Sequence, residues 1–206
     1  MYAHSDISIS TILSLHYYSI EEVESFCCAN HVPGHAVLNA RCGGFDQAIE
    51  DLGKSPALND VEIDVLDCEA WIAEVEEQCE PDNGDWSTVG LYAAGEPNHI
   101  CLVDFLGKHP DTHAAASDVS TELFKGMQSG LNIYFGVDHQ KYLQAYLPIS
   151  HLTLAVTNGQ VVQNTIIETG PNLVREPPSQ DAIDCVENDF KVCKDDGSGT
   201  AFRSIA

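Results

Sequence analysis

Gly136-Val137-Asp138-His139-Gln140-Lys141-Tyr142-Leu143-Gln144-Ala145-Tyr146-Leu147-Pro148 joins a segment of strand composition to one of helical composition. Upstream, Leu131-Asn132-Ile133-Tyr134-Phe135 predicts a strand with Ile133 and Phe135 on one face and Tyr134 on the other. Downstream, Leu143, Tyr146, Leu147, Leu152, Leu154 and Val156 predict a helix over 142–156 that Gly159 stops. The polar quartet Asp138, His139, Gln140 and Lys141 therefore falls where a strand ends and a helix begins. In an open α/β sheet, that edge is where small ligands are held.

The same alternation runs through the chain before it. Ser25 to Ala29 is a compact apolar run that predicts a buried strand, ending in a turn at Asn30-His31-Val32-Pro33-Gly34. Phe45, Ala48, Ile49 and Leu52 then recur at helical spacing as far as Gly53. A strand over Val61 to Leu66 precedes a helix carrying Trp71, Ile72, Val75 and Cys79, and a strand over Thr88 to Ala93 precedes one carrying Ile100, Val103 and Leu106. His113 to Ala116 is a weak strand because alanine has poor strand propensity. The helix after it carries Leu123, Phe124 and Met127, with Asp118 or Ser120 as its N-cap. Thr165 to Ile167 reads as a last strand; beyond Pro171 the abundance of Pro, Asp and Gly predicts loop. Strand-helix units in series are best satisfied by a parallel sheet with right-handed crossovers.

Composition narrows the function classes. With 44% hydrophobic residues the chain of 206 is globular, and a net charge of −23, from nine Lys and Arg against 32 carboxylates, argues against nucleic acid and anionic membranes. No apolar run approaches the roughly 20 residues that span a bilayer, and residues 1 to 18 lack the pattern of a signal peptide. The eight cysteines allow several disulfides in an oxidising compartment, Cys185 with Cys193 being the first pair to test, while adjacent Cys27 and Cys28 read as small buried hydrophobes. No metal site is expected: there is no CxxC, and Pro33-Gly34 between His31 and His35 keeps that pair off a shared helix face. Nor does the chain contain a Gly-x-Ser-x-Gly elbow; Cys101 near His99 is the closest approach to an activated nucleophile, so neither enzyme activity nor cofactor is expected.

Asp138 to Pro148 resembles the segment Asp-Gln-Gln-Pro-Tyr-Leu-Gln-Gly-Tyr-Leu-Pro of type I periplasmic binding proteins, the sugar-binding proteins of bacterial ABC importers. His139 stands where those proteins usually have Gln, and Lys141 where they usually have Pro. Glu168 to Val174 is similar to their Thr-Gly-Pro run, and Asn30 to Phe45 to a segment whose Arg binds sugar hydroxyls. The resemblance implies a three-layer parallel-sheet lobe of a type I periplasmic binding protein-like fold over residues 24–174. It corresponds to the second of two lobes and the helix that follows it, with most of the first lobe absent. Residues 1–23 then form an extension of unclear role, and 175–206 a tail, disulfide-bonded or disordered.

The residues expected to hold a ligand are Arg41, Asp118 and His139, with Asp138, Gln140 and Gly95 in support. Arg41 is the only arginine before position 175, set among Ala40, Cys42, Gly43 and Gly44, and its fork of donors suits paired hydroxyl oxygens; the alternative is a helix-surface ion pair. Asp118 can accept two sugar hydroxyls, or serve as a plain N-cap. His139 offers one donor and one acceptor, or is an exposed loop histidine. Asp138 and Gln140 contact ligand or hold the turn, and Gly95 contributes backbone alone. Trp71, Trp86, Tyr92 and Phe135 are candidate stacking faces or core. The implied partners are a sugar or other polyhydroxylated solute, a membrane permease or receptor, and a second chain on helix 142–156. The implied location is extracellular or periplasmic; a sensor or interaction domain reusing the lobe is the alternative function.

Overall fold

The computed structural model describes residues 23–32, 34–54, 60–62, 67–160, 167, 169, 171–175 and 177–188. The elements follow in the order β1 (Ser25–Asn30), α1 (Ala36–Asp51), β2 (Asp60–Glu62), α2 (Cys68–Cys79), β3 (Val89–Ala93), α3 (His99–Lys108), β4 (His113–Ser117), α4 (Thr121–Gln128), β5 (Ile133–Asp138), α5 (Lys141–Asn158), β6 (Asn172–Val174) and α6 (Gln180–Glu187). The sheet order is β2-β1-β3-β4-β5-β6, with β6 antiparallel to β5 and every other pair parallel.

Helices cover both faces of the sheet, giving the expected three layers. On one face Cys27, Leu91, Ala93, Ala114, Ala116 and Ile133 pack against Trp71, Leu102, Phe105, Leu123, Phe124 and Ile183. On the other, Phe26, Cys28, Tyr92, Ala115, Phe135 and Val137 pack against Leu38, Phe45, Ala48 and Ile49 of α1. Successive strand side chains point to opposite faces, which explains the adjacent cysteines. Cys27 is bonded to Cys79 of α2 and Cys28 to Cys42 of α1, so one dipeptide fastens a helix to each side of the sheet. The expectation of two inert buried thiols is corrected. A third disulfide joins Cys68 to Cys101, and Cys185 is also disulfide-bonded; its expected partner, Cys193, lies outside the described residues.

Several other expectations change. Ile133 and Phe135 fall on opposite faces, not the same one, because the β4–β5 register shifts between Ala114 and Ala115 and leaves Tyr134 as the extra residue of a bulge. Leu106 is buried as expected, but Ile100 is exposed and Val103 only partly covered, and α3 also buries Cys101, Leu102 and Phe105. The alanine-rich β4 is a fully buried strand, where small side chains let helices approach on both sides. Asn172–Val174 and Gln180–Glu187 fall where loop was expected. Ser179 caps the latter by accepting from Ala182 N, and Ala182, Ile183 and Cys185 are buried. Residues 165 and 166 of the expected last strand, and 63–66 of the second, lie outside the described residues.

Gly159 ends α5 in the left-handed conformation as expected, at φ 66°. The helix itself is unusual in burying none of its residues, and Tyr142, Tyr146, Ile149, Leu152, Leu154 and Val156 are exposed. It carries one formal charge, Lys141, within its 18 residues.

Candidate ligand site at the carboxyl edge of the sheet

The carboxyl ends of β3, β4 and β5 lie side by side through their shared ladders, so residues just beyond Ala93, Ser117 and Asp138 meet at one edge. Arg41 reaches this edge from the first half of α1. Its Nη1 donates to Ala94 O at 2.8 Å and to Asp118 Oδ2 at 3.1 Å. Both side chains are about nine-tenths buried. The reading of Arg41 as a surface residue is therefore overturned. Arg41 Nε has no hydrogen-bond partner among the described residues.

Asp118 does not cap α4. Ser120 does, accepting from Leu123 N at 3.1 Å, which leaves the aspartate for the edge. Asp118 has a φ of 70°, a conformation that non-glycine residues seldom adopt and that tends to occur at functional sites. Its Oδ2 also accepts from Glu96 N at 3.4 Å, and its Oδ1 lies 3.5 Å from Lys141 Nζ. Burial pushes this carboxyl's pKa up, but Arg41, Lys141 and His139 together hold it below the usual aspartate value.

His139 is buried as well, not an exposed loop histidine. Its Nε2 lies 3.5 Å from Ser117 Oγ, which is hydrogen-bonded in turn to Tyr92 OH. Arg41, Asp118 and His139 therefore converge. Asp138 and Gln140 are occupied differently: Asp138 Oδ1 accepts from Gln140 N at 2.7 Å, and Gln140 sits at φ 55° as the first residue of the turn into α5. Burial raises the pKa of Asp138. Gly95 is backed by His31, whose Cε1 would lie 2.7 Å from a Cβ there, so a larger residue would have to push the imidazole aside.

A second layer of polar residues supports these groups. His99 is fully buried; its Nε2–H donates to Ser117 O at 3.0 Å, so its Nδ1 accepts from Ser120 Oγ at 2.9 Å. That arrangement requires a neutral ring, and burial lowers its pKa to about 4. Asn98 donates to Ala29 O and His31 Nδ1 and accepts from Trp71 Nε1. Neither residue stands out in sequence, because a buried polar hub has no periodicity of its own.

The aromatic candidates are core. Trp71, Tyr92 and Phe135 are fully buried, and Trp86 packs edge-on against Phe105. Of these, Tyr92 reaches the site through its hydroxyl. Lys141, not singled out by sequence as a ligand group, pairs with Glu96 over Asp118; its departure from the usual proline was the available signal. Cys101, the candidate nucleophile, is held in a disulfide. Cavities of about 530 and 640 Å³ open at the opposite, amino-terminal edge, beside Cys79 and beside His113, and include none of these residues.

No protein-family model and no curated protein sequence matches the chain. Solved structures do. A carbohydrate transporter of Acidothermus cellulolyticus in complex with myo-inositol superimposes with a TM-score of 0.73 at 16% identity, over 92% of this chain and 64% of that one. An ABC transporter solute-binding protein of Agrobacterium vitis bound with α-D-tagatopyranose gives 0.69 at 16% identity, over 84% and 57%. Another from Burkholderia graminis, in complex with D-arabinose, gives 0.69 at 17%, over 84% and 60%. The chain thus spans about three-fifths of the length of these proteins. Over that span it has the fold of the type I periplasmic binding proteins.

Proposed function

We propose that this chain is a non-enzymatic carbohydrate-binding protein of the solute-binding type, serving ABC-type uptake or sensing outside the cytoplasm. The observation that carries the reading is the buried Arg41–Asp118 pair with His139 beside it, at the edge where an open sheet presents ligands. Charged donors and acceptors held in one place suit vicinal hydroxyls, which donate and accept at once. In this reading Arg41 donates, Asp118 accepts, His139 does either, and Gly95 offers backbone to a close-lying ring. Asp138 and Gln140 hold the turn. Three disulfides and the further bonded Cys185 fit an oxidising compartment, and among the described residues no helix is long and apolar enough to cross a membrane.

One open edge encloses less ligand than the usual pocket, so the affinity of this chain alone is weak. Isothermal titration with a panel of hexoses, pentoses and inositols tests the reading. Saturable binding at micromolar or weaker affinity supports it; no binding by any member, or sub-micromolar binding by a monomer, contradicts it. A second reading, an interaction or sensor domain, is favoured by α5, whose uncovered apolar face suits a second chain, a permease or a receptor.

A further inference from the structure

On the reading that this edge holds a hydroxylated solute, we infer that Lys141 makes the site selective for a sugar carrying a carboxylate, such as a uronate, over its neutral parent. Asp118 Oδ2 accepts from Arg41 and Glu96 N, while Oδ1 makes no hydrogen bond among the described residues and faces the Lys141 ammonium 3.5 Å away. A neutral hydroxyl reaching this oxygen must share it with the Lys141 charge. The inner group of Arg41, Asp118 and Lys141 carries a net single positive charge, which Glu96 balances by pairing with Lys141 from the solvent side.

Glu96 is the replaceable member. It and Lys141 are each about half exposed, and exposed ion pairs are held weakly. Arg41 and Asp118 are buried and fixed. A ligand carboxylate arriving from solvent can take the place of the Glu96 carboxylate on Lys141 and leave the charge balance unchanged. Lysine suits that exchange, since its ammonium is compact and has three donors, enough for Asp118 and an incoming carboxylate together. The ligand's hydroxyls then lie toward Ala94, Ser117 and His139, beside the Asp118 carboxylate.

The test titrates the full chain with galacturonate and galactose, and with glucuronate and glucose, in wild type, Lys141→Gln and Glu96→Gln. Both substituted side chains are at the surface, and thermal melts check that the variants fold. The expected result is a uronate preference of about tenfold, or 1.4 kcal/mol, that added salt weakens, Lys141→Gln removes and Glu96→Gln increases. Equal binding of acid and neutral sugars, or a preference untouched by Lys141→Gln, overturns the inference while leaving sugar binding in place. Binding of neither kind overturns the proposed function along with it.

Discussion

Replacing Asp118 separates its charge from its backbone role. The Arg41–Asp118 pair is about nine-tenths buried on both sides, so its contribution is not that of a surface ion pair. Asp118→Asn keeps a side chain that tolerates the left-handed conformation and still offers Arg41 a carbonyl oxygen. It loses the charge, and the difference is that of a hydrogen bond to a charged group, about 1.5–3 kcal/mol. Asp118→Ala strands the guanidinium, at about 3–5 kcal/mol, and places a Cβ without local hydrogen bonding in the left-handed region, at about 1–2 kcal/mol more. Against a total stability of about 5–15 kcal/mol, the alanine variant is close to unfolding. The folded carboxyl titrates below the unfolded value of about 3.9. Its stabilisation is therefore complete above that pH and is lost as the pH falls through the folded pKa. Urea unfolding with disulfides intact, at neutral pH and at about pH 3, should show the wild type and Asp118→Asn well apart in the first case and closer in the second. If both variants stay within about 0.5 kcal/mol of wild type at neutral pH, the pair is not the anchor described here.

His99 is neutral in the fold and charges readily when unfolded, so stability should be complete above about pH 6.5 and fall as the pH drops toward 4, by roughly 3 kcal/mol at most. His31, lowered by burial and by Arg41, adds to the same slope. In His99→Gln, denaturant midpoints across this window should flatten, and an unchanged slope would contradict the neutral buried ring. Removing the Cys68–Cys101 bond, which closes 33 residues, should cost about 3–4 kcal/mol by chain entropy, read as a lower melting temperature of the double alanine variant; unchanged melting would refute it. If α5 receives a second copy, light scattering should show a mass that rises with concentration and that Ile149→Lys with Leu152→Lys abolishes. A monomer at all concentrations points to another occupant.

The parallel-sheet architecture was legible because its strands and helices alternate with distinct periods, and the β5–α5 junction places its polar quartet at the carboxyl edge without further information. That Asp118 follows β4 could be read from strand order; its direct pairing with Arg41 could not, since it joins residues separated by 77 positions. The short β6 offers three residues, too few for a pattern, and nothing in them signals its antiparallel direction. The Tyr134 bulge reverses the facing of Ile133 by a single inserted residue, which alternation alone does not register. Cys27-Cys28 was readable in principle. Once Ser25 to Ala29 is taken as a buried strand, adjacent cysteines must point into different layers, each toward a helix that supplies its own partner.

The most direct test of the central claim is heteronuclear NMR of the isotope-labelled chain during titration with the tightest sugar from the panel. Saturable shifts confined to the backbone amides of 94–96, 117–119 and 138–141, and to the Arg41 guanidinium, are predicted. Shifts centred instead on 80–83, 110–113 or 130–134, where the cavities of the opposite edge lie, would contradict it.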